Sequence, residues 1–183
     1  LKSRLKIPLI YGIDAVHGHN NVKGATIFPH NIGLGCTFDP KIVKKVADIT
    51  AREVAATGID WNFAPCLAIP QDERWGRYYE GYSENTTLVS DLGVATIQGY
   101  QNKIGKNHSI AACAKHFIAD GATLWDTGDN NYKIDRGNAI ISKNDLYDKY
   151  LIPYKDAVDN GVLTVMASFN SYNGLKCHAS SYL

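Results

Sequence analysis

Ser109-Ile110-Ala111-Ala112-Cys113-Ala114-Lys115-His116 is the stretch that decides how this chain folds. After Ser109 it is small or apolar without interruption, lacking the polar alternation of a strand with one wet face. Such a strand is buried on both sides, as in parallel sheets whose faces are covered by helices. The run then ends abruptly in a cation and an imidazole. Outward from it, the same pattern recurs. Ile7 to Ile13 reads as a strand that runs into Asp14 and His17. Ile59 to Ala64 reads as a second and enters a long loop holding Asp72, Arg74, Arg77 and Glu80. The quoted stretch, as far as Ala114, is the third, with Asp120 a little beyond it. Val162 to Ala167 is the fourth, followed by Ser168, Asn170 and Asn173.

Helical patterns separate these runs. Asp39-Pro40 supplies an N-cap and a first-turn proline. Val43, Val46, Ala47, Thr50 and Val54 then recur at helical spacing, and Gly58 can close the helix. Asn85 can cap a second helix reaching about Lys103, with Leu88, Leu92 and Ala95 on one face. Ser142 with Asp145 resembles a capping box, and its helix is expected to reach about Asn160 and stop at Gly161. Strands alternating with helices predict an α/β fold with right-handed crossovers. The chain holds roughly four β/α units in 183 residues, whereas a closed eight-unit barrel takes about 250. An open doubly wound sheet and part of a barrel both remain. The loops discriminate, because a barrel builds its active site just after the C-terminal ends of its strands. The loops from Cys66 to Ser83 and from Phe117 to Ile141 are long for such connections, which usually marks function. Neither G-x-G-x-x-G nor a P-loop occurs, so nucleotide binding lacks its signature.

A formal net charge of +1 gives no electrostatic case for a nucleic-acid or anionic-membrane partner. No apolar run approaches the roughly 18 residues that span a bilayer. Cys36, Cys66, Cys113 and Cys177 are far apart and form no C-x-x-C pair. They read as buried small hydrophobes rather than as a zinc or redox centre. Leu1-Lys2-Ser3-Arg4-Leu5-Lys6 has neither an initiating Met nor an apolar segment, so the chain is expected to begin inside a longer protein. The compartment stays open among secreted, periplasmic and lysosome-like.

The strand-end residues each carry two or more readings. Lys115 beside His116 is a Schiff-base lysine, a cationic donor pair for hydroxyls, or a rim lysine with a satisfied histidine. Asp14 can accept two hydrogen bonds, which suits adjacent hydroxyls, or can pair with a nearby cation. Arg74-Trp75-Gly76-Arg77 offers multi-donor forks and an aromatic face, or a surface salt-bridge loop. Glu80 can orient Arg77 or Lys115, or face solvent. Tyr78, Tyr79 and Tyr82 are a stacking wall or loop anchors. His17 and His19 lack an acidic or Cys partner at fixed spacing, so no metal and no cofactor is expected.

Taken in order, several motifs converge on one family. Gly12-Ile-Asp-Ala-Val-His-Gly18, Thr26-Ile-Phe-Pro-His-Asn31, Asn62-Phe-Ala-Pro65 and Arg74-Trp-Gly-Arg77 come first. Tyr79-Glu-Gly-Tyr-Ser-Glu84, Ala112-Cys-Ala-Lys-His-Phe117 and Val165-Met-Ala-Ser-Phe-Asn170 follow. Together they resemble the N-terminal catalytic barrel of glycoside hydrolase family 3, over nearly the whole chain. The resemblance implies a partial (β/α)8 barrel of the β-glucosidase or exo-β-glucanase type. It implies an enzyme that removes terminal β-D-glucose with retention from a carbohydrate substrate. It further implies that Asp14, Arg77, Lys115, His116 and Met166 hold the terminal sugar, with Arg74, Glu80 and Phe169 as possible supports. No catalytic residue is expected within the chain. The family's nucleophile is an Asp in a Ser-Asp-Trp context, absent here and expected beyond Leu183, and its acid/base comes from a following domain. Residues 1–183 are therefore expected to need the rest of their own chain. Phe169 stands where relatives commonly carry Tyr, and Glu73 where they often carry Pro. Phe117-Ile-Ala-Asp-Gly-Ala122 differs from the His-Asp loop of the family's N-acetylglucosaminidases. The rival readings are a lysine-dependent lyase using Lys115 and a non-catalytic sugar-binding fragment.

Overall fold

The computed structural model describes residues 4–105 and 108–183. Residues 1–3, part of the amino-terminal stretch read above, lie outside them. The first strand, β1 (Gly12–Ile13), pairs in parallel with β2 (Trp61–Asn62). The ladder continues beyond these short assignments. Asn62 N donates to Ala111 O at 2.9 Å, Cys113 N to Ala64 O at 2.8 Å, and Lys115 N to Pro65 O at 3.0 Å. These bonds, with parallel bridges from Trp61 to Ala111 and from Cys66 to Lys115, tie β2 to β3 (Cys113–Phe117). A further strand, β5 (Thr164–Ala167), pairs in parallel with β3. The spatial order is β1-β2-β3-β5, four parallel strands in chain sequence, which is an arc of a (β/α)8 barrel.

The helices between the strands form as their caps dictate. A short α1 (Asn31–Gly35) precedes α2 (Pro40–Ala56), where the Asp39 carboxylate accepts from Lys41 N at 2.8 Å. Val43, Ala47, Thr50, Ala51 and Val54 of α2 are buried. They pack toward α3 (Thr86–Tyr100), which Asn85 caps by accepting from Leu88 N at 2.9 Å. The two helices approach so closely that a Cβ at Gly99 would lie 2.6 Å from Lys44 O. At the third connection Ser142 Oγ accepts from Asp145 N at 3.0 Å. The single helix expected there is instead broken into α4 (Lys143–Asp145), a π-helical turn over Leu146–Tyr150, and α5 (Ile152–Asp159). Pro153 explains the break. It has no N–H to donate and its ring crowds the carbonyl of the preceding turn. The chain answers with a wider bond, Leu151 N to Leu146 O at 2.8 Å.

Two more expectations need correction. Among the described residues, the strand placed over residues 7–13 forms its parallel ladder at Gly12 and Ile13, while Leu9, Ile10 and Tyr11 are exposed. The ladder starts where Trp61 comes alongside, a position that apolarity alone does not mark. A small second sheet was also not anticipated. In it β4 (Asn138–Ala139) pairs in parallel with β6 (Ser171–Tyr172), and β6 turns antiparallel into β7 (Leu175–Lys176). Asn173 and Gly174, both at positive φ, make the two-residue turn. The main core runs between the helices and the strands, through Ala15, Val54, Leu92, Ile97, Ile110, Ala112, Ala114 and Ile118. Among the described residues no helix is long and apolar enough to cross a membrane.

Candidate functional site

The polar strand ends meet at one rim. A cavity of about 180 Å³ there is lined by Arg77, His116, Asp120, Met166, Phe169 and Asn170, with Trp75, Asp135 and Arg136 beside them. A larger hollow of about 530 Å³ lies near Asp60 and Ile110, before the paired parts of β2 and β3. In a barrel that end carries stability and the opposite end carries chemistry, so the smaller cavity is the candidate site.

Its wall is a chain of hydrogen bonds. Arg77 Nε and Nη2 donate to Glu80 Oε1 and Oε2, both at 2.8 Å. The same Nη2 lies 3.0 Å from His116 Nε2, and His116 Nδ1 lies 2.8 Å from Asp120 Oδ2. A guanidinium can only donate, so His116 Nε2 accepts. The ring proton then sits on Nδ1 and donates to Asp120. Asp120 is itself held by Gly121 N, which donates to Oδ1 at 3.1 Å. A Cβ at Gly121 would lie 2.7 Å from Ile69 O, so only glycine lets this turn close on the chain after β2.

Charge is balanced along the chain. Burial, the largest single influence on Glu80, pushes its carboxyl up. The Arg77 hydrogen bond and charge, with Lys115 behind them, outweigh it and hold the group below its ordinary range. Burial likewise works against charge on Arg77, and the Glu80 hydrogen bond and charge reverse the balance upward.

Beside this chain Lys115 Nζ donates to Asp14 Oδ1 at 2.7 Å. Lys115 is buried, whereas the Asp14 side chain is 61% exposed. Neither Asp14 nor Lys115 is among the residues lining the cavity, and the Asp14 carboxylate faces solvent. Lys115 is the register partner of Met166, but the ladder shifts before Phe117 pairs with Ala167. His116 is thus passed over, and a local break of this kind re-aims a side chain. That is how consecutive residues diverge, His116 lining the cavity and Lys115 reaching Asp14.

Other candidates go elsewhere. Arg74 turns away and forks onto Asp72, with Nε–Oδ1 at 2.8 Å and Nη2–Oδ2 at 2.5 Å, while its guanidinium lies over Trp125. It does not line the cavity. Phe169 does, at 65% exposure, with Arg136 over its face and His178 at its edge. The three tyrosines form no wall. Tyr78 donates to Glu84, Tyr82 is buried against Thr96, and Tyr79 packs edge-on to His30. His19 bonds Thr57 while His17 packs against His30, so those two do not converge.

Asp120 and Asn170 line the cavity although motif reading did not single them out as sugar contacts. Asp120 had a strand-end position as its signal. Asn170 is buried, and its Nδ2 donates to Ile118 O at 3.2 Å, joining the turns after β3 and β5. Cys66, His116 and Asp120 place potential metal ligands within 4.8 Å of one another. Their chemistry favours a hydrogen-bond cluster. Both imidazole nitrogens are engaged, a guanidinium adjoins them, and burial pushes the Cys66 thiol up to about 12. Lys115 is engaged with Asp14, which leaves the lyase alternative without a free amine at the cavity.

The family model described as "Glycosyl hydrolase family 3 N terminal domain" matches residues 1–183. A periplasmic β-glucosidase of Salmonella typhimurium is 35% identical over 99% of this chain and 22% of its own length. A β-xylosidase of Formosa agariphila is 34% identical over 98% of this chain and 25% of its own. The crystal structure of an exo-1,3/1,4-β-glucanase from a Pseudoalteromonas species superposes with a TM-score of 0.85 at 46% identity, over 94% of this chain and 21% of that one. The chain thus spans about a fifth to a quarter of the length of these relatives. It belongs to the glycosyl hydrolase family 3 N-terminal domain family.

Proposed function

We propose that the intact protein is a retaining β-glucosidase or exo-β-glucanase, and that this part of it grips the terminal sugar. The observation that carries the reading is the convergence of Glu80–Arg77–His116–Asp120 and Lys115–Asp14 at the ends of neighbouring parallel strands. A pyranose ring is a ring of hydroxyls, each able to donate and accept. Asp14 offers a carboxylate to accept from two of them, while Lys115 and Arg77 present donors and His116, held between Arg77 and Asp120, keeps the Arg77 fork in place. Met166 supplies apolar contact beneath the ring, and such a preorganised donor set stabilises charge that develops on the sugar.

Retention needs two carboxyl groups about 5–5.5 Å apart, one attacking and one cycling a proton. Asp14, Glu80 and Asp120 are each committed to a cation or imidazole partner. They serve as acceptors and supports, and the nucleophile and acid/base come from the rest of the same chain. That remainder also completes the barrel. Among the described residues β5 pairs only with β3. An apolar groove of about 330 Å³ lies at its outer side, between Phe117, Leu151, Tyr154, Val158 and Val165.

The relatives' names span glucose and xylose, which differ by one hydroxymethyl group. The deciding experiment compares kcat/KM of the intact enzyme on aryl β-D-glucoside and β-D-xyloside, and follows the first-formed anomer by NMR. Preference for the glucoside by about tenfold or more, the scale of one recognised substituent, with β-glucose appearing first, is expected. Xyloside preference would redirect the substrate, and first-formed α-sugar would refute retention.

A further inference from the structure

We propose that Asn62 is a positioning residue for Asp14, an inference that rests on the sugar-gripping role of Asp14 argued above. Asn62 lies on β2 and is fully buried. Its Oδ1 accepts from Ala15 N at 2.9 Å and its Nδ2 donates to Ala15 O at 2.8 Å. A backbone N–H can only donate and a carbonyl can only accept, so these two bonds fix the orientation of the amide. The buried Tyr100 hydroxyl also bonds this side chain. Asn62 N in turn donates to Ala111 O, which anchors the residue to the chain leading into β3.

The bonded residue, Ala15, follows Asp14 directly. Past Ile13 the β1–β2 ladder stops, since Phe63 N to Ile13 O is its last rung toward the rim. The Asn62 amide replaces the missing rungs by reproducing both bonds of a strand partner. Asparagine side chains hold the flanking groups as well. Asn21 Nδ2 donates to Asp14 O at 3.3 Å, and Val16 N donates to Asn20 Oδ1 at 3.1 Å. Of these, Asn62 alone is buried and makes two bonds, so it sets where the backbone leaves the strand. Asp14 is itself largely exposed and has one charged partner, Lys115. Its aim therefore depends on its backbone, and its backbone depends on Asn62.

The test is a double-mutant cycle in the intact enzyme, on an aryl β-glucoside, using Asn62→Ala and Asp14→Asn. Asn62→Asp, which keeps the acceptor for Ala15 N, replaces Asn62→Ala if the latter does not fold. A displaced gripping group costs roughly 10- to 100-fold, so a loss of that size in kcat/KM is expected from Asn62→Ala alone. In the Asp14→Asn background the same change should cost less than about threefold, while Tm falls equally in both backgrounds. Equal kinetic losses in the two backgrounds would show a purely structural role and overturn the inference. Near-normal kinetics of Asp14→Asn itself would overturn the gripping role, and the two failures are thereby distinguishable.

Discussion

Replacing Glu80 by Gln keeps the shape of the side chain and removes its charge. In the native protein two donors of Arg77 reach the two carboxylate oxygens at 2.8 Å, with the Arg77 side chain 36% and the Glu80 side chain 16% exposed. Hydrogen bonds to charged groups are worth about 1.5–3 kcal/mol each. Exposed ion pairs are worth about 0–1 kcal/mol in all. The partial exposure of Arg77 puts this pair between those limits, and Gln retains one neutral acceptor. A loss of about 1–2 kcal/mol follows, or roughly 2–8 °C in Tm at about 2–4 °C per kcal/mol for a domain of barrel size. The pH dependence gives the sharper result. Glu80 holds its proton less tightly when folded than its ordinary value of 4.5 implies. As pH falls, the unfolded chain takes up that proton first, so the stabilisation is full above about 4.5 and is lost as pH drops through the lower folded value. Gln cannot titrate. The Tm gap between wild type and Glu80→Gln should therefore be widest at neutral pH and close on acidification, read by scanning calorimetry between pH 7 and 3.5. A gap that stays constant across that range would refute an ionic Glu80–Arg77 pair.

Other outcomes follow from the same geometry. Asp120→Ala removes the acceptor that fixes the His116 ring, and kcat/KM on an aryl β-glucoside should fall about 10- to 100-fold, with Tm also lowered because the His116 and Gly121 donors lose their buried acceptor; unchanged kinetics would show that the ring is held by Arg77 alone. Burial pushes the Cys66 thiol to about 12, and Cys113 and Cys177 are also raised, while Cys36 is exposed. Since the thiolate is the reactive form, iodoacetamide at pH 8 should label Cys36 in the native protein and spare the other three, as peptide mass spectrometry would show. Arg74→Ala, which breaks an exposed fork to Asp72 and the stacking over Trp125, both away from the cavity, should leave kcat/KM within about twofold on the scale of surface pairs. A large loss would place Arg74 in the site after all.

Much of the fold was legible because its signals are local. Asp39, Asn85 and Ser142 cap helices where their side chains can reach backbone N–H groups two or three residues on. The apolar run at Ser109 to Ala114 also marked the strand, although pairing carries it to Phe117. The break at Pro153 had an equally local cause and outweighed the helical periodicity around it. The Asn173-Gly174 hairpin was carried by a strong turn signal. Its strands are so short that alternation never showed. The site divides in the same way. That Lys115, His116 and Asp14 sit at strand ends could be read directly. That Arg77 contacts His116 across 39 residues, or that Arg74 turns outward, depends on how a long loop folds back. Nothing in the spacing of the two arginines fixes which one enters the cavity.

The most direct test of the account is kcat/KM of the intact enzyme and its Asp14→Ala variant on an aryl β-glucoside. Two hydroxyl contacts to a carboxylate at about 1.5–3 kcal/mol each correspond to a loss of about 10²- to 10⁴-fold. A loss of at least about 100-fold in a folded variant is predicted. Kinetics within a few-fold of wild type would contradict the assignment of Asp14, and with it the sugar-gripping role of this rim.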